Sequence, residues 1–195
     1  MSTIAILLLA AGSSSRMGDR DKLMEEVDGE KLLTLICRRA ALTGLPCLVT
    51  VPSLSHPRVS ATGTARLIEV PDAAEGMAAS IRTGVAALPA DTDAVMILPC
   101  DMPELEAQDL SHLAAHFHDA DSPVLRATSE NGTPGHPVLF PRRCFAALRQ
   151  ITGDQGARAV LKSQDVQLIA LPSQRAVTDL DTPEAWAQWR ATRAV

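Results

Sequence analysis

The stretch Ile4–Lys22, IAILLLAAGSSSRMGDRDK, decides the fold class. Its first eight residues are all apolar, which is the pattern of a strand buried on both faces of a parallel sheet. Gly12 and three serines then form a loop whose backbone N–H groups can approach a ligand closely. Arg16, Arg20 and Lys22 add fixed positive charge directly after this loop. The combination predicts a phosphate-binding site at the carboxyl end of a buried strand.

Two common phosphate-binding loops do not fit this stretch. The Walker loop requires G-x-x-x-x-G-K-[ST], whereas five residues separate Gly12 from Gly18, and Asp19 follows. The dinucleotide-binding fingerprint requires a second glycine where Ser14 stands. A signal peptide does not fit either, because the apolar run is short and no cation precedes it.

The composition indicates a single globular domain, residues 1–195, with 46% apolar and 21% charged residues. Aromatic residues make up only 3% and the formal charge is −5, which argues against a nucleic-acid or anionic-membrane partner. The four cysteines are not in C-x-x-C spacing, and no apolar run reaches the roughly 18 residues of a membrane span. We therefore expect a cytoplasmic protein with free thiols.

The alternation of patterns along the chain predicts a single doubly wound α/β domain with a Rossmann-like, mostly parallel sheet. After the first strand, further strands are predicted at 47–51, 66–70, 94–98 and 166–170. Helices are predicted at 32–43, 105–117, 141–150 and 156–162. A further helix is predicted to end at about residue 88, and the last one to begin at Pro183. The segment 53–64 is predicted to be a loop, and 124–140 a β-hairpin insertion with its turn at Asn131–Gly132.

Asp101 is a second local signal for a binding site. It follows the apolar strand at 94–98, and Pro99 and Pro103 stiffen the backbone on either side of it. A carboxylate just past the end of a buried strand lies at the edge where α/β sheets bind ligands. One carboxylate, nucleotide phosphates and waters form an ordinary magnesium shell. Asp101 is therefore a candidate Mg²⁺ ligand, with a turn or helix N-cap as the alternative.

These segments together resemble the MobA-like nucleotidyltransferases, which couple a nucleoside triphosphate to a phosphorylated small molecule. The opening L-A-A-G-x-S-x-R-M-G-x-x-x-K-L at 9–23 carries the resemblance most strongly. It is extended by G-M-x-x-S at 76–80, G-H-P-V-L-F at 135–140, G-D-Q-G-A-R at 153–158 and D-L-D-T-P-E at 179–184. The resemblance implies a fold of the nucleotide-diphospho-sugar-transferase type.

The resemblance also implies a role for each matching residue. Arg16 and Lys22 are expected to be catalytic, on an exposed loop, by stabilising charge on the transferring phosphate. The nucleotide is expected to bind to Leu9, Ala10, Ala11, Gly12, Ser14, Lys22, Gly76 and Ser80, and the acceptor to His136, Asp154 and Arg158. Mg²⁺ is expected at Asp101 and at either Asp179 or Asp181, which spacing alone does not separate.

Several of these roles have a structural alternative. The 76–80 segment also fits an ordinary loop before a helix, and His136 fits a structural histidine. Asp154 and Arg158 also fit a clamp on their own turn. The two aspartates of D-L-D-T-P-E also fit a brace for the helix that follows.

Within the family, the closest likeness is to the molybdenum-cofactor cytidylyltransferases, which join CTP to molybdopterin and release pyrophosphate. The guanylyl-transferring relatives have glycine where this chain has Ala11, and a methyl group beside the base is expected to favour cytosine over a purine. A guanylyltransferase of the same pathway, a sugar-phosphate nucleotidyltransferase and a non-catalytic molybdopterin-binding chaperone are the alternatives. A transient contact with a molybdoenzyme or its chaperone is a further implied partner.

Overall fold

The apolar run forms the central strand β1, Ile4–Leu9, in a computed structural model that describes residues 2–153 and 156–193. β1 is paired in parallel on both sides, and five of its six residues are buried. Its side chains alternate between two cores, with Ile6 and Leu8 in one and Leu7 in the other. Burial on both faces explains why the run is continuously apolar.

The other strands and helices follow in chain order. They are β2 Glu26–Val27, β3 Glu30–Lys31, α1 Leu32–Leu42, β4 Cys47–Val51, β5 Arg66–Glu69, α2 Met77–Ala86, β6 Ala94–Pro99, α3 Ala107–Ala115, β7 Val124–Thr128, β8 Pro134–Pro141, α4 Phe145–Leu148, α5 Arg158–Lys162, β9 Val166–Ala170 and α6 Pro183–Arg193.

Within the described ranges, seven strands form one sheet in the order β5-β4-β1-β6-β8-β7-β9. All its neighbouring pairs are parallel except those of β8, which runs antiparallel to both β6 and β7. The predicted mostly parallel sheet and the predicted hairpin are therefore confirmed. The hairpin is inserted into the sheet itself, since β8 also pairs with β6 and β7 also pairs with β9.

Helices cover both faces of the sheet, as the doubly wound prediction requires. Side chains of α1, α3 and α6 belong to one core, and side chains of α2, α4 and α5 belong to the other. Gly84 allows α2 to lie very close to β1, because an added Cβ would fall 2.4 Å from a methyl carbon of Leu7. This contact packs the C-terminal part of α2 against the middle of β1.

Three predicted helices are shorter than expected, and the one predicted at 105–117 spans Ala107–Ala115. The helix predicted at 141–150 is preceded by the continuation of β8 to Pro141, where the Arg142 N–H donates to the Asp93 carbonyl at 2.7 Å. The helix predicted to begin at Gly156 starts at Arg158, because Gly156 has the left-handed φ of 54°. Over the described part of the chain, no helix has the length and apolar character needed to cross a membrane.

Candidate active site

A cavity of about 750 Å³ lies at the edge of the sheet where β1 and β6 end and β8 begins. Most residues predicted for the site line this cavity: Leu9, Gly12, Ser14, Arg16, Lys22, Gly76, Ser80, Asp101, His136, Arg158, Asp179 and Asp181. The antiparallel direction of β8 brings its first residues to the same edge as the ends of the parallel strands. Segments far apart in sequence therefore meet around one space.

Ala10 and Ala11 lie beneath the loop, with exposed fractions of 0% and 3%. The methyl group of Ala11 belongs to a small cluster with Val70 and with Ala79 of α2. The sequence predicts that this methyl group narrows a slot beside the base; in the structure it does not line the cavity and packs between the end of β1 and α2. Asp154, predicted for the acceptor side, falls outside the described residues.

Lys22 lies between two carboxylates. Its Nζ is 2.6 Å from Asp101 Oδ2 and 2.5 Å from Asp181 Oδ1. Burial opposes the charged ammonium, but the two carboxylates outweigh it and raise the pKa of Lys22. Burial likewise opposes the charged form of Asp181, but the hydrogen bond and charge of Lys22 give that carboxyl a lowered pKa. Lys22 thus holds Asp181 in its charged form.

The two predicted catalytic cations differ in exposure. The Arg16 side chain is 69% exposed and donates to Asp181 Oδ2. The Lys22 side chain is only 17% exposed, so the expectation of an exposed loop is right for Arg16 and wrong for Lys22. Lys22 is covered because the segment carrying Asp181 returns over it from the far end of the chain.

A backbone hydrogen bond holds the D-L-D segment against Asp101. The Leu180 N–H donates to the Asp101 carbonyl at 3.0 Å, and the Leu180 side chain is buried in the core. Asp179 and Asp181, the residues before and after Leu180, therefore both reach the cavity. Burial and the nearby charges of Asp101 and Asp181 raise the pKa of Asp179.

This carboxylate cluster fits a hard divalent cation. The Asp101 Oδ1 atom is buried and has no hydrogen-bond partner among the described residues, so an oxygen ligand is left unused. No three His, Cys, Asp or Glu side chains in residues 2–153 and 156–193 are arranged to enclose a metal ion. Mg²⁺ does not require such a cage, because it is usually held by one or two carboxylates together with substrate phosphates and waters. Asp101 with Asp179 or Asp181 meets that requirement.

The start of α2 forms another wall of the cavity. Gly76 has φ 111°, which favours glycine, and Ser80 is buried in the first turn of α2. The segment that ends at Gly153 is docked on this wall, since Gly153 accepts from the Ala78 N–H and donates to Glu75. Glu75 is in turn held by Arg82 through two hydrogen bonds of 2.6 Å.

The wall formed by β7 and β8 carries His136, Arg126 and Arg158. The His136 Nδ1 atom is buried without a hydrogen-bond partner in the part of the chain that the structure describes. Burial and the positive charge of Arg126 lower the pKa of His136 to about 4, so the ring is neutral near neutral pH. Burial and the charge of Arg158 lower the pKa of Arg126, and both side chains line the cavity.

Gly135 fixes the position of this wall. An added Cβ at Gly135 would lie 1.8 Å from the Ala176 carbonyl oxygen, and the next N–H, of His136, donates to the same oxygen at 2.8 Å. The start of β8 is therefore pressed against the segment that leads to Asp179.

Two residues of the site region were missed in the sequence analysis. Arg126 lines the cavity and is the one charged residue of β7, where it follows Val124 and Leu125, and a charged residue inside a strand is a signal that could have been recognised. Arg58, in the segment predicted to be an unstructured loop, lies in a short 3-10 helix, Pro57–Ala61, and is 2% exposed. Nothing in its local sequence marks it, because its side-chain partners, Ala10, Gly12, Ser14 and Asp21, are far from it in sequence.

Two curated relatives match the chain over most of their lengths. A probable molybdenum cofactor guanylyltransferase of Nostoc sp. is 27% identical over 94% of this chain and 89% of its own length. The molybdenum cofactor cytidylyltransferase of Escherichia coli is 27% identical over 94% of each chain. The two relatives have the same sequence identity to this chain.

The fold resembles that of a solved Rv0371c homologue from Mycobacterium sp. strain JC1. The TM-score is 0.84 at 20% identity, covering 98% of this chain and 96% of the other. A nucleotidyl transferase from Methanothermobacter thermautotroptrophicus has the same fold, with a TM-score of 0.78 at 16% identity over the whole of both chains, and the predicted fold is thereby confirmed. Residues 6–168 match the MobA-like NTP transferase domain, and the chain therefore belongs to that family.

Proposed function

We propose that the protein transfers CMP from CTP to the phosphate of molybdopterin and releases pyrophosphate, with Mg²⁺ as its cofactor. The observation that carries this proposal is the division of the cavity into facing walls. Lys22 and the glycine loop lie on one side, His136 and Arg126 lie on another, and the carboxylates lie between them. Such an arrangement suits a reaction that brings two phosphates together.

The nucleophile in this reaction is a phosphate oxygen that is already an anion, so no general base is required. The barrier lies in bringing anions together and in stabilising the charge that spreads over the transferring group. Lys22 and Arg16 supply positive charge on the nucleotide side, in positions held by their contacts with Asp181. When bound at Asp101 and Asp179 or Asp181, Mg²⁺ would neutralise phosphate charge and polarise the transferring group.

The acceptor side is assigned to His136, Arg158 and Arg126. A neutral His136 can donate one hydrogen bond to an acceptor, and the two arginines offer charge to its phosphate. Arg126 is oriented along β8, since its Nε donates to the Gly135 carbonyl at 3.1 Å. Asp154 is also proposed to bind the acceptor, and this assignment rests on the family motif alone.

The choice of CTP rests on Ala11, because the two curated relatives differ in their nucleotide. Its methyl group packs between β1 and α2, so it supports the loop from below. A glycine there would allow the loop to settle away from the cavity and enlarge the space for a base. We expect a preference for CTP over GTP of roughly tenfold or more in kcat/KM.

The test is pyrophosphate release with CTP, GTP, ATP and UTP, each with molybdopterin, with a sugar phosphate and without an acceptor. The proposal requires CTP and molybdopterin to give the fastest reaction, and Ala11→Gly to gain GTP use. Equal or faster use of GTP would assign the protein as a guanylyltransferase, and reaction only with the sugar phosphate would assign it to that class. Molybdopterin binding without pyrophosphate release would indicate a chaperone.

The proposal also places the enzyme in the cytoplasm, with no nucleic-acid or membrane partner. The product would pass to a molybdoenzyme or its chaperone in a transient contact. The formal charge of −5 supports the absence of a polyanionic partner.

A further inference from the structure

Arg58 makes hydrogen bonds to both ends of the glycine loop. Its Nη1 donates to the carbonyl oxygens of Ala10 and Gly12 at 2.6 and 2.7 Å. Its Nη2 donates to Ser14 Oγ at 3.0 Å. Its Nε and Nη2 also donate to the two carboxylate oxygens of Asp21, each at 2.7 Å. One buried guanidinium therefore joins the beginning of the loop to the residue that precedes Lys22.

These contacts determine where the loop amides point. In a trans peptide the carbonyl and the following N–H point in opposite directions. Because the carbonyls of Ala10 and Gly12 point at Arg58, the N–H groups of Ala11 and Ser13 point away from it. None of the N–H groups of residues 11–14 donates a hydrogen bond to another described residue, whereas Gly12, Ser13 and Ser14 line the cavity.

Arg58 also fixes the backbone around Lys22. Asp21 accepts from Arg58 and from the Leu23 N–H at 3.1 Å, so the backbone on both sides of Lys22 is held. Burial opposes the charged form of Asp21, but its contacts with Arg58 lower the pKa of that carboxyl. The ion pair is therefore maintained at neutral pH.

We propose that Arg58 is the positioning residue that turns the loop amides toward the cavity and places Lys22, and so builds the site for the triphosphate of the nucleotide. The proposal rests on the proposed function for the identity of this ligand. Arg58 does not line the cavity, so it acts through the loop. A misplacement of about 1 Å in such a site can lower turnover by about 10²-fold.

The experiment compares Arg58→Ala and Arg58→Lys with the control Arg39→Ala. Arg39 is a matched residue, since its side chain is 15% exposed, pairs with Glu106, and donates to the carbonyl oxygens of Pro103 and Leu105, neither of which lines the cavity. Calorimetry measures the binding of pyrophosphate, and urea unfolding measures stability. Both arginine-to-alanine variants should lose stability, but only Arg58→Ala should lose about tenfold or more in pyrophosphate affinity.

Chemical rescue separates positioning from general stability. Guanidinium added below denaturing concentrations should restore part of the pyrophosphate affinity of Arg58→Ala, and Arg58→Lys should remain impaired because it lacks the planar fork. If Arg58→Ala does not fold, Asp21→Asn should show a smaller loss in the same direction. Wild-type affinity in a folded Arg58→Ala, or an equal loss in Arg39→Ala, would overturn the proposal.

The outcome is distinguishable from failure of the proposed function. If the wild-type protein binds pyrophosphate but transfers no nucleotide to molybdopterin, the proposed reaction is wrong, and Arg58 is still judged by the binding measurements. If the wild-type protein does not bind pyrophosphate, both proposals fail.

Discussion

Replacing Lys22 by methionine removes the ammonium group while keeping a side chain of similar length. In the structure this ammonium is 2.6 Å from Asp101 and 2.5 Å from Asp181. Its removal leaves these two carboxylates facing each other, with Asp179 close by, and among the described residues only the exposed Arg16 is still paired to the cluster. Lys22→Met should therefore affect both stability and turnover.

The magnitude follows from the exposure of the three side chains, which is 17% for Lys22, 13% for Asp101 and 30% for Asp181. Exposed ion pairs contribute about 0–1 kcal/mol, and breaking a buried pair costs about 3–5 kcal/mol. Lys22→Met should therefore cost about 2 kcal/mol in the free energy of unfolding at neutral pH. Turnover should fall about 10²-fold or more, because an electrostatic contact with the transferring group is lost.

The stability loss should depend on pH. Lys22 lowers the pKa of Asp181 in the folded protein, so this interaction stabilises the fold above the unfolded pKa of about 3.9. Its contribution is lost as the pH falls through the lowered folded pKa. The difference between wild-type and Lys22→Met should thus be full at neutral pH and shrink below about pH 4.

Urea unfolding at neutral and acid pH, together with steady-state turnover at saturating nucleotide, measures these effects. Arg20→Met is the control, since Arg20 lies on the same loop and forms only a 3.5 Å pair with Glu25. It should change stability and turnover little. An unchanged stability difference at acid pH, or turnover of Lys22→Met within about threefold of wild-type, would refute the reasoning.

Three further predictions concern the other walls of the cavity. Asp101→Asn should abolish turnover at ordinary magnesium concentration and recover partly at high concentration, and comparing Asp179→Asn with Asp181→Asn in the same titration should identify the second ligand. If none of these variants changes the magnesium dependence, the assignment of these aspartates as Mg²⁺ ligands is wrong. Arg126→Met should raise the KM for the acceptor about tenfold and leave that for the nucleotide unchanged, as steady-state kinetics can show. Gly135→Ala should destabilise the fold by about 3 kcal/mol in urea unfolding, because its Cβ would fall 1.8 Å from a backbone carbonyl oxygen; a neutral effect would mean that β8 can move.

The sequence predicts those parts of the site that directly follow a buried strand. The apolar run before Gly12 and the strand before Asp101 each indicate a buried parallel strand, and parallel strands end at the same edge. Their meeting at one cavity could therefore be predicted. Asp179 and Asp181 were reached only through the family motif, because their approach to Asp101 depends on a backbone pairing with Leu180.

The rest depends on contacts between distant segments that no local pattern encodes. Arg58 is 37 residues from Asp21 in sequence, and they meet because β1 and β4 lie side by side. The burial of Lys22 likewise depends on the return of the chain 159 residues later. In both cases a charged residue whose local sequence indicates an exposed loop is covered by another segment.

The turn between β7 and β8 lies at the edge of the sheet that carries the cavity, because β8 begins there. Residues 130–133 of this turn are exposed, and it is closed by a hydrogen bond from the Ser129 N–H to the Thr133 carbonyl. Insertions at this point would extend over the wall that we propose to bind the acceptor, without changing the strand register or the loop after β1. Under that proposal, evolution can adapt the enzyme to larger or smaller acceptors by changing one hairpin tip, while the proposed nucleotide side stays as it is.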